Sequence, residues 1–346
     1  MKLLNLSFSE IEELVESLGE PKYRAKQLYQ GLQMGKKIEE INISKDLKAL
    51  LAQNGYTTGG VEIHEKFVSK IDGTIKYLYC LEDGNIIEGV LMHYKHGSTL
   101  CVSTQVGCRM GCAFCASTIG GLVRNLEAGE ILGQVIAVNR DNMTKKERAV
   151  TNIVLMGSGE PLDNYDNTLK FLRLVSCPEG INISMRNISL STCGIVPKIK
   201  ELAKEKLGIT LSLSLHAPTD EMRKDIMPIS KAYALEETID AMRYYVKETG
   251  RRVVFEYALI SEKNDTKECA EKLAKLIRNM QCHVNLIPLN SVHESGLSGS
   301  SGNRVAKFRE YLEKDGISVT VRREMGADIS GACGQLRRSY LSKEVK

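Results

Sequence analysis

The sequence lacks the features of a membrane or secreted protein. None of its apolar runs reaches the length of a membrane-spanning helix. The first 18 residues do not form a secretory signal, because Glu10, Glu13 and Glu16 interrupt their apolar pattern. We therefore expect a protein of the reducing cytoplasm that makes no contact with a membrane.

Tryptophan is absent as well, and the chain has no aromatic-rich RNA-binding signature. The composition, with 42% apolar and 26% charged residues, is that of a globular protein and argues against a disordered chain. A net charge of +4 permits a nucleic-acid partner but does not require one. The basic side chains of Lys22, Arg24 and Lys26, and those of Arg337 and Arg338, either contact phosphate groups or belong to a solvated surface.

Ten cysteines in a chain of 346 residues are an unlikely disulfide scaffold in a reducing compartment, so they indicate metal binding, catalysis or ordinary burial. Three of them, Cys108, Cys112 and Cys115, form a C-x₃-C-x₂-C pattern in a glycine-containing loop. Structural zinc normally takes four ligands, and no fourth candidate lies nearby in sequence. Three thiolates on a four-iron cluster would leave one iron open. Three unrelated buried cysteines, and zinc with a distant fourth ligand, are the alternatives.

The apolar pattern changes along the chain. Residues up to about Asn54 have helical periodicity, with Ser7 or Ser9 as a helix cap, and residues 75–79 and 86–90 predict a hairpin. After about Gly97, apolar strands alternate with amphipathic helices, which predicts parallel strands in an open sheet or a barrel. The predicted strands are residues 100–103, 153–156, 188–191, 209–215, 253–259, 284–287 and 318–322. Polar or glycine-rich motifs follow five of these strands, so we expect them to line a single ligand-binding site at the carboxyl ends of the strands.

The cysteine spacing, with Phe114 before the last cysteine, resembles the signature of the radical S-adenosyl-L-methionine superfamily. The resemblance implies that Cys108, Cys112 and Cys115 hold a 4Fe-4S cluster whose fourth iron binds S-adenosylmethionine, and that the sulfonium is cleaved to a 5′-deoxyadenosyl radical. It also implies an α/β fold, a partial (β/α)6 radical-SAM barrel with a small N-terminal α+β accessory domain. We expect the accessory RNA-binding domain at 1–95, the barrel at 96–330 and a C-terminal catalytic-cysteine segment at 331–346.

A narrower resemblance extends over residues 19 to 336. The sequences QVGC at 105–108, GEPL at 159–162, SLHAP at 214–218, ACGQL at 332–336 and GEPKYRAKQL at 19–28 are similar to the bacterial adenine-C2 RNA methyltransferases called RlmN. Pro161 favours that family over a related carbon-8 enzyme, which has alanine there. The resemblance implies methylation of an adenosine in 23S rRNA and of a tRNA anticodon-loop adenosine. It further implies an electron donor such as flavodoxin and a monomeric protein.

The same resemblance implies a role for individual residues. Cys333 would carry the methyl group, Cys101 would resolve the enzyme–RNA crosslink through a Cys101–Cys333 disulfide, and Glu88 would accept a proton. Contacts to S-adenosylmethionine are implied for Gly159, Glu160, Ser191, Ser214, Leu215, His216 and Asn290.

Alternatives to these roles remain. Without the resemblance, Glu88 is an exposed hairpin carboxylate, and His216 is a core or helix-capping histidine. Another radical enzyme that needs neither Cys101 nor Cys333, or a zinc-stabilised RNA-binding protein, is the alternative function. The remaining cysteines have no role in the family, and we expect them to be structural.

Overall fold

A computed structural model describes residues 1–95, 97–142, 148–289, 296–332 and 334–336. The chain begins with three helices, α1 (Phe8–Ser17), α2 (Tyr23–Gln33) and α3 (Lys45–Gln53). Ser7, rather than Ser9, caps α1: its hydroxyl accepts from the backbone of Glu10, whose carboxylate accepts from the backbone of Ser7. The buried face of α1 carries Ile11, Leu14 and Val15. The helical prediction for this segment is therefore confirmed.

Strands follow and then alternate with helices, as the apolar pattern predicts. In chain order the elements are β1 (Glu62–Val68), β2 (Ile75–Cys80), β3 (Ile86–Tyr94), β4 (Gly97–Cys101), β5 (Gln105–Gly107), β6 (Leu122–Asn125), α4 (Ala128–Asn142), β7 (Asn152–Leu155), α5 (Tyr165–Val175), β8 (Ile188–Thr192), α6 (Val196–Lys204), β9 (Thr210–Ser214), α7 (Asp220–Ile226), α8 (Leu235–Thr249), β10 (Val253–Leu259), α9 (Lys267–Ile277), β11 (Cys282–Pro288), α10 (Gly302–Lys314) and β12 (Val319–Val321).

The described strands form one ten-stranded sheet, in the order β1-β2-β3-β4-β7-β8-β9-β10-β11-β12, and a separate β5–β6 ribbon. Within the ten-stranded sheet, the run β4-β7-β8-β9-β10-β11-β12 is parallel, because a helical crossover connects each of these strands to the next. Six strand–helix units and a closing strand therefore make up an open barrel wall, which confirms the α/β class and the partial (β/α)6 barrel. Sequence patterns missed α6, α7 and the short β5–β6 ribbon.

The accessory hairpin is part of the same sheet. Strand β3 pairs with β4 in antiparallel register, with Val90 opposite Cys101, so the sheet continues past residue 95 without a break. The division into 1–95, 96–330 and 331–346 stays a prediction, and its first boundary falls between two hydrogen-bonded strands.

The turn between β1 and β2 also holds the segment that follows β12. Asp72 accepts from the backbone N–H of Gly326 at 2.9 Å. In return, Asp328 accepts from the Ser69 hydroxyl at 2.6 Å and from the backbone of Lys70 at 2.9 Å. These reciprocal bonds attach the β1–β2 turn to the stretch that leads into residues 331–336.

The main apolar core lies between the sheet and its helices. Every residue of β10 is buried, as expected for a central strand of a parallel sheet covered on both faces. Among the described helices, none is both long and apolar enough to cross a membrane.

Candidate active site

The three-cysteine loop begins where β5 ends. Gly107 has φ +77°, and a Cβ at this position would collide with the carbonyl oxygen of Gly121, so only glycine fits before Cys108. The backbone of Ala113 donates to the carbonyl of Ile226 at 2.9 Å. This bond fastens the loop to the end of α7.

The chemistry of the three thiols fits an iron–sulfur cluster. Burial raises the pKa of Cys108 to about 12 and also raises the pKa of Cys112 and Cys115, and for Cys108 and Cys112 the neighbouring thiols raise it further. Thiolates crowded in such a site need a positive centre, which a cluster provides. Backbone N–H groups near Cys108 and Cys115 favour the thiolate form, as hydrogen bonds to cluster sulfurs do. The side-chain positions of the described residues do not by themselves converge into a metal-binding geometry.

Phe114, the aromatic residue of the motif, packs against His216. Their ring centroids are 4.7 Å apart in an edge-to-face arrangement. His216 has φ +55°, and its Nδ1 accepts from the backbone of Ala258 at 2.9 Å. Burial, together with the charge of Arg223, lowers the pKa of His216 to about 3. The imidazole is therefore neutral, and with Nδ1 acting as an acceptor its Nε2 carries the proton and can donate.

Gly159 and Glu160 lie after β7, where the backbone passes close to the cysteine loop. Gly159 has φ +105°, and a Cβ there would be 2.6 Å from the Cβ of Gln105. The buried carboxylate of Glu160 accepts from the backbone of Leu162 at 3.0 Å and of Cys193 at 2.8 Å. Burial raises the pKa of Glu160, while these donors act in the opposite direction. A carboxylate held in this way is oriented to receive a cationic group.

Ser191 and Ser214 stand side by side at the ends of β8 and β9, with hydroxyl oxygens 3.4 Å apart. The Ser191 hydroxyl donates to Oε2 of Glu256 at 3.0 Å, and the backbone of Leu215 donates to the Glu256 carbonyl. The structure therefore brings together these two serines with Leu215 and His216, as expected. It adds Glu256, on β10, which sequence reasoning missed although a glutamate stands out in the strand sequence VVFEYAL.

Arg223 of α7 was also missed, and it is the largest of the fully buried side chains. Its guanidinium donates to the carbonyls of Cys193 at 2.6 Å, Ser214 at 3.1 Å and Leu215 at 3.2 Å, and to the Ser230 hydroxyl at 2.7 Å. These four bonds join the ends of β8 and β9 to α7. No local signal distinguishes this residue, because the sequence DEMRKDI is typical of a surface helix.

Cys101, at the end of β4, is buried and lines a small cavity of about 30 Å³. Met325, Ala332 and Leu336 line the same cavity, so residues on both sides of position 333 lie beside Cys101. The Leu336 carbonyl accepts from Ser117 at 2.8 Å, which attaches this segment to the cysteine loop. Cys333 itself lies outside the described residues.

Glu88 is buried rather than exposed, contrary to what its hairpin position predicts. The reason is that β3 is an inner strand, paired with β2 on one side and β4 on the other. Its carboxylate is 3.8 Å from Nζ of Lys76. Glu88 is two residues before Val90, which pairs with Cys101, so the Glu88 and Cys101 side chains project from the same face of the sheet. Asn290, the last expected cofactor contact, lies outside the described residues.

Comparison with known proteins identifies the class first. The model of the radical SAM superfamily matches residues 102–277, about half of the chain and including the three cysteines, Glu160 and His216. The protein is thus a radical S-adenosylmethionine enzyme.

Similar proteins define the family within this class. A relative from Alkaliphilus oremlandii, named a probable dual-specificity RNA methyltransferase RlmN, is 53% identical over 341 residues, covering 98% of each chain. A relative of the same name from Clostridium novyi is 51% identical over 342 residues, again covering 98% of each. The crystal structure of a radical SAM methyltransferase from Sphaerobacter thermophilus has 43% identity and a TM-score of 0.92, covering 98% of this chain and 100% of that one. The chain belongs to the RlmN family, whose members use a 4Fe-4S cluster and S-adenosylmethionine.

Proposed function

We propose that the protein methylates carbon 2 of an adenosine in RNA, with 23S rRNA and a tRNA anticodon loop as substrates. The relatives' name, dual-specificity RNA methyltransferase, supports RNA as the substrate and more than one RNA target. A flavodoxin-like electron donor, a monomeric state and a cytoplasmic location remain predictions of the family resemblance.

The route that we propose uses two cysteines. Carbon 2 of adenine is electron-poor, so direct methyl transfer from a sulfonium is unfavourable, and the Cys333 thiolate takes the methyl group first. Cys108, Cys112 and Cys115 would hold the cluster, which when bound would supply one electron for the cleavage of a second S-adenosylmethionine. The S-methyl group on Cys333 would then lose a hydrogen atom to the 5′-deoxyadenosyl radical. Cys333 then holds a methylene carbon that bonds to carbon 2 of the base.

The crosslink between enzyme and RNA must then be broken. Glu88 accepts the proton displaced from carbon 2, and the adduct would return one electron to the oxidised cluster, which supplied one electron for the cleavage. The Cys101 thiolate attacks the sulfur of Cys333, the bond from sulfur to the methylene carbon breaks, and the released carbon takes up a proton to become the methyl group. A Cys101–Cys333 disulfide remains, and an external reductant returns it to two thiols.

One observation carries this proposal. Cys101 shares a small, mostly apolar cavity with Ala332 and Leu336, which flank position 333 by one and three residues. A thiolate attack on sulfur requires two cysteines close together, and this cavity lies at the carboxyl ends of β4 and β11, where chemistry concentrates in parallel α/β folds.

The RNA-binding surface is part of the proposal. Lys22, directly before α2, and Lys26, in its first turn, are exposed, and Arg24 stacks over the Tyr23 ring at 4.9 Å. Lys22 is also 3.5 Å from Glu12, so part of its charge is already compensated. Changing Lys22 and Lys26 to glutamate should weaken RNA binding and reduce its dependence on salt. Unchanged binding would exclude this surface.

The test measures product and uses a matched cysteine control. Protein purified without oxygen and reconstituted with iron and sulfide is given S-adenosylmethionine, a reductant and ribosomal RNA, and 2-methyladenosine is measured by mass spectrometry. Cys333→Ser and Cys101→Ser are compared with Cys282→Ser, since Cys282 begins β11 at the opposite end of the sheet. We expect product from wild type and Cys282→Ser only, with RNA crosslinked to the Cys101→Ser protein.

The other outcomes separate the parts of the proposal. Deoxyadenosine without a methylated base means that the substrate is wrong. Product from Cys101→Ser refutes the resolving role. If a protein that holds an intact cluster forms neither deoxyadenosine nor methylated RNA, the proposed reaction fails altogether. Replacing ribosomal RNA with tRNA in the same assay tests the second substrate.

A further inference from the structure

We propose that Glu256 binds the ribose hydroxyls of S-adenosylmethionine and that Arg322 positions its carboxylate. The proposal rests on the S-adenosylmethionine site that the proposed function uses. It does not depend on which base is methylated, because its test measures cofactor binding.

The first observation is an incompletely bonded carboxylate. Glu256 is 3% exposed, in the middle of the buried strand β10. Its Oε2 accepts from Ser191, whereas Oε1 is buried and has no hydrogen-bond partner. Buried acceptors without a donor are costly and rare in native proteins. Oε1 therefore identifies a place where a ligand donor completes the site.

The second observation is the location. The Glu256 carbonyl accepts from the backbones of Leu215 and His216, directly after β9, and the residue pairs with Ser214 across the β9–β10 ladder. Glu256 and Ser214 therefore lie side by side on one face of the sheet. His216, which follows Ser214 by two residues, packs against Phe114 of the cysteine loop.

The chemistry of these groups selects the part of the ligand. A carboxylate beside two serine hydroxyls offers both acceptors and donors. A vicinal diol matches such a set, because each of its hydroxyls can donate and accept. The adenine amine can only donate, whereas a diol can donate to the carboxylate and also accept from a serine hydroxyl. An acidic residue paired with ribose hydroxyls is also the arrangement found in dinucleotide-binding folds.

Arg322 gives the contact its orientation. It follows β12, and its Nη1 is 3.7 Å from Oε1 of Glu256 and 3.5 Å from the sulfur of Met156. Arg322 and Met156 also line the cavity that contains Cys101. The Glu256–Arg322 pair thus lies between the serine pair and that cavity.

The test uses holoenzyme with a reconstituted cluster and a ligand that does not react. The dissociation constants of S-adenosylhomocysteine and of its 2′-deoxy and 3′-deoxy analogues are measured anaerobically by calorimetry for wild type, Glu256→Gln and Glu256→Asp. Glu236→Gln, an exposed change in the first turn of α8, is the control. Iron content and thermal melting confirm that each variant is folded and loaded.

We expect Glu256→Gln to weaken S-adenosylhomocysteine binding about 10- to 150-fold, the range for losing a hydrogen bond to a charged acceptor. Wild type and Glu256→Gln should then bind at least one deoxy analogue with equal affinity, because the interacting hydroxyl is already missing. Glu256→Asp should fall between them. Control binding should match wild type.

Three results would overturn the inference. The first is Glu256→Gln binding as tightly as wild type. The second is wild type binding both deoxy analogues as tightly as S-adenosylhomocysteine, which is decisive even if the variants do not fold. The third concerns one further ligand, an inosine-based analogue that lacks the adenine amine. If wild type and Glu256→Gln bind only this analogue with equal affinity, and still differ in their affinity for both deoxy analogues, the carboxylate contacts the base and not the ribose. Failure of RNA methylation with the expected binding pattern would refute the proposed function and leave this inference intact.

Discussion

Arg223 provides a sharp test of how the site is held together. Replacing it with methionine keeps much of the side-chain volume but removes a buried guanidinium with four hydrogen bonds, three of them to backbone carbonyls. Each acceptor left unsatisfied costs about 1–3 kcal/mol. Two effects reduce this loss. The desolvation cost of the buried charge disappears with the charge, and the Leu215 carbonyl keeps a second donor, the backbone of Ala217. We therefore expect Arg223→Met to lower the free energy of unfolding by about 2–4 kcal/mol.

Lysine at position 223 separates charge from geometry. It keeps the positive charge but cannot direct donors to carbonyls from two strands and to Ser230 at once, so we expect a loss of about 1–2 kcal/mol. Arg243→Met is the matched control. Arg243 also donates to backbone carbonyls, at 2.9 and 3.3 Å, but its side chain is 42% exposed, so its replacement should cost less than 1 kcal/mol, as is typical of surface changes.

The measurement is urea-induced unfolding of the metal-free protein, monitored by circular dichroism for wild type and the three variants. A methionine variant within about 0.5 kcal/mol of wild type would refute the reasoning, because it would mean that relief of desolvation cancels the lost bonds. A lysine variant less stable than the methionine variant would refute the part assigned to charge.

Three further predictions concern other parts of the fold. Burial raises the pKa of Asp72, but backbone donors led by Gly326 outweigh it and bring the pKa down to about 2. The ionised Asp72 carboxylate therefore stabilises the fold fully above about pH 4, and this stabilisation is lost as the pH falls towards 2. In a stability–pH profile, Asp72→Asn should flatten the acid limb. Gly159→Ala should cost about 1–3 kcal/mol in melting experiments and weaken S-adenosylmethionine binding, and an unchanged variant would contradict the strain argument. Arg124→Met should cost about 2–3 kcal/mol in urea, because it leaves Glu130, with 1% exposed side chain, without its bidentate partner; a neutral result would mean that other cations suffice.

The sequence predicts the parallel strands well because their signal is local. Strand β10 is observed over the residues that its apolar run predicts, and polar or glycine-rich motifs follow β7, β8 and β9 as expected, whereas the cysteine loop follows β5 rather than β4. The alternation of strands and helices is repeated often enough to determine the class of fold. Ser7 also follows from local rules, since its glutamate partner stands three residues later.

The features that sequence patterns miss depend on contacts between distant segments. Nothing in α7 distinguishes Arg223 from Lys224, because burial of one and exposure of the other follow from packing against β8 and β9. Glu88 is buried because β4 pairs along the free edge of its hairpin, a partner that the hairpin sequence does not specify. Glu256 carried a usable signal, a single acidic residue in an apolar strand, which normally requires a buried partner or a function.

Because β3 pairs with β4, residues 1–95, about a quarter of the chain, are not a separable domain. Deleting residues 1–95 would remove the strand that pairs with one side of β4. The N–H and C=O groups left unpaired would make β4 an exposed edge strand that can pair with another molecule. Grafting residues 1–95 onto another barrel would require a recipient strand in matching register. Chimaeras joined at residue 95 should therefore aggregate.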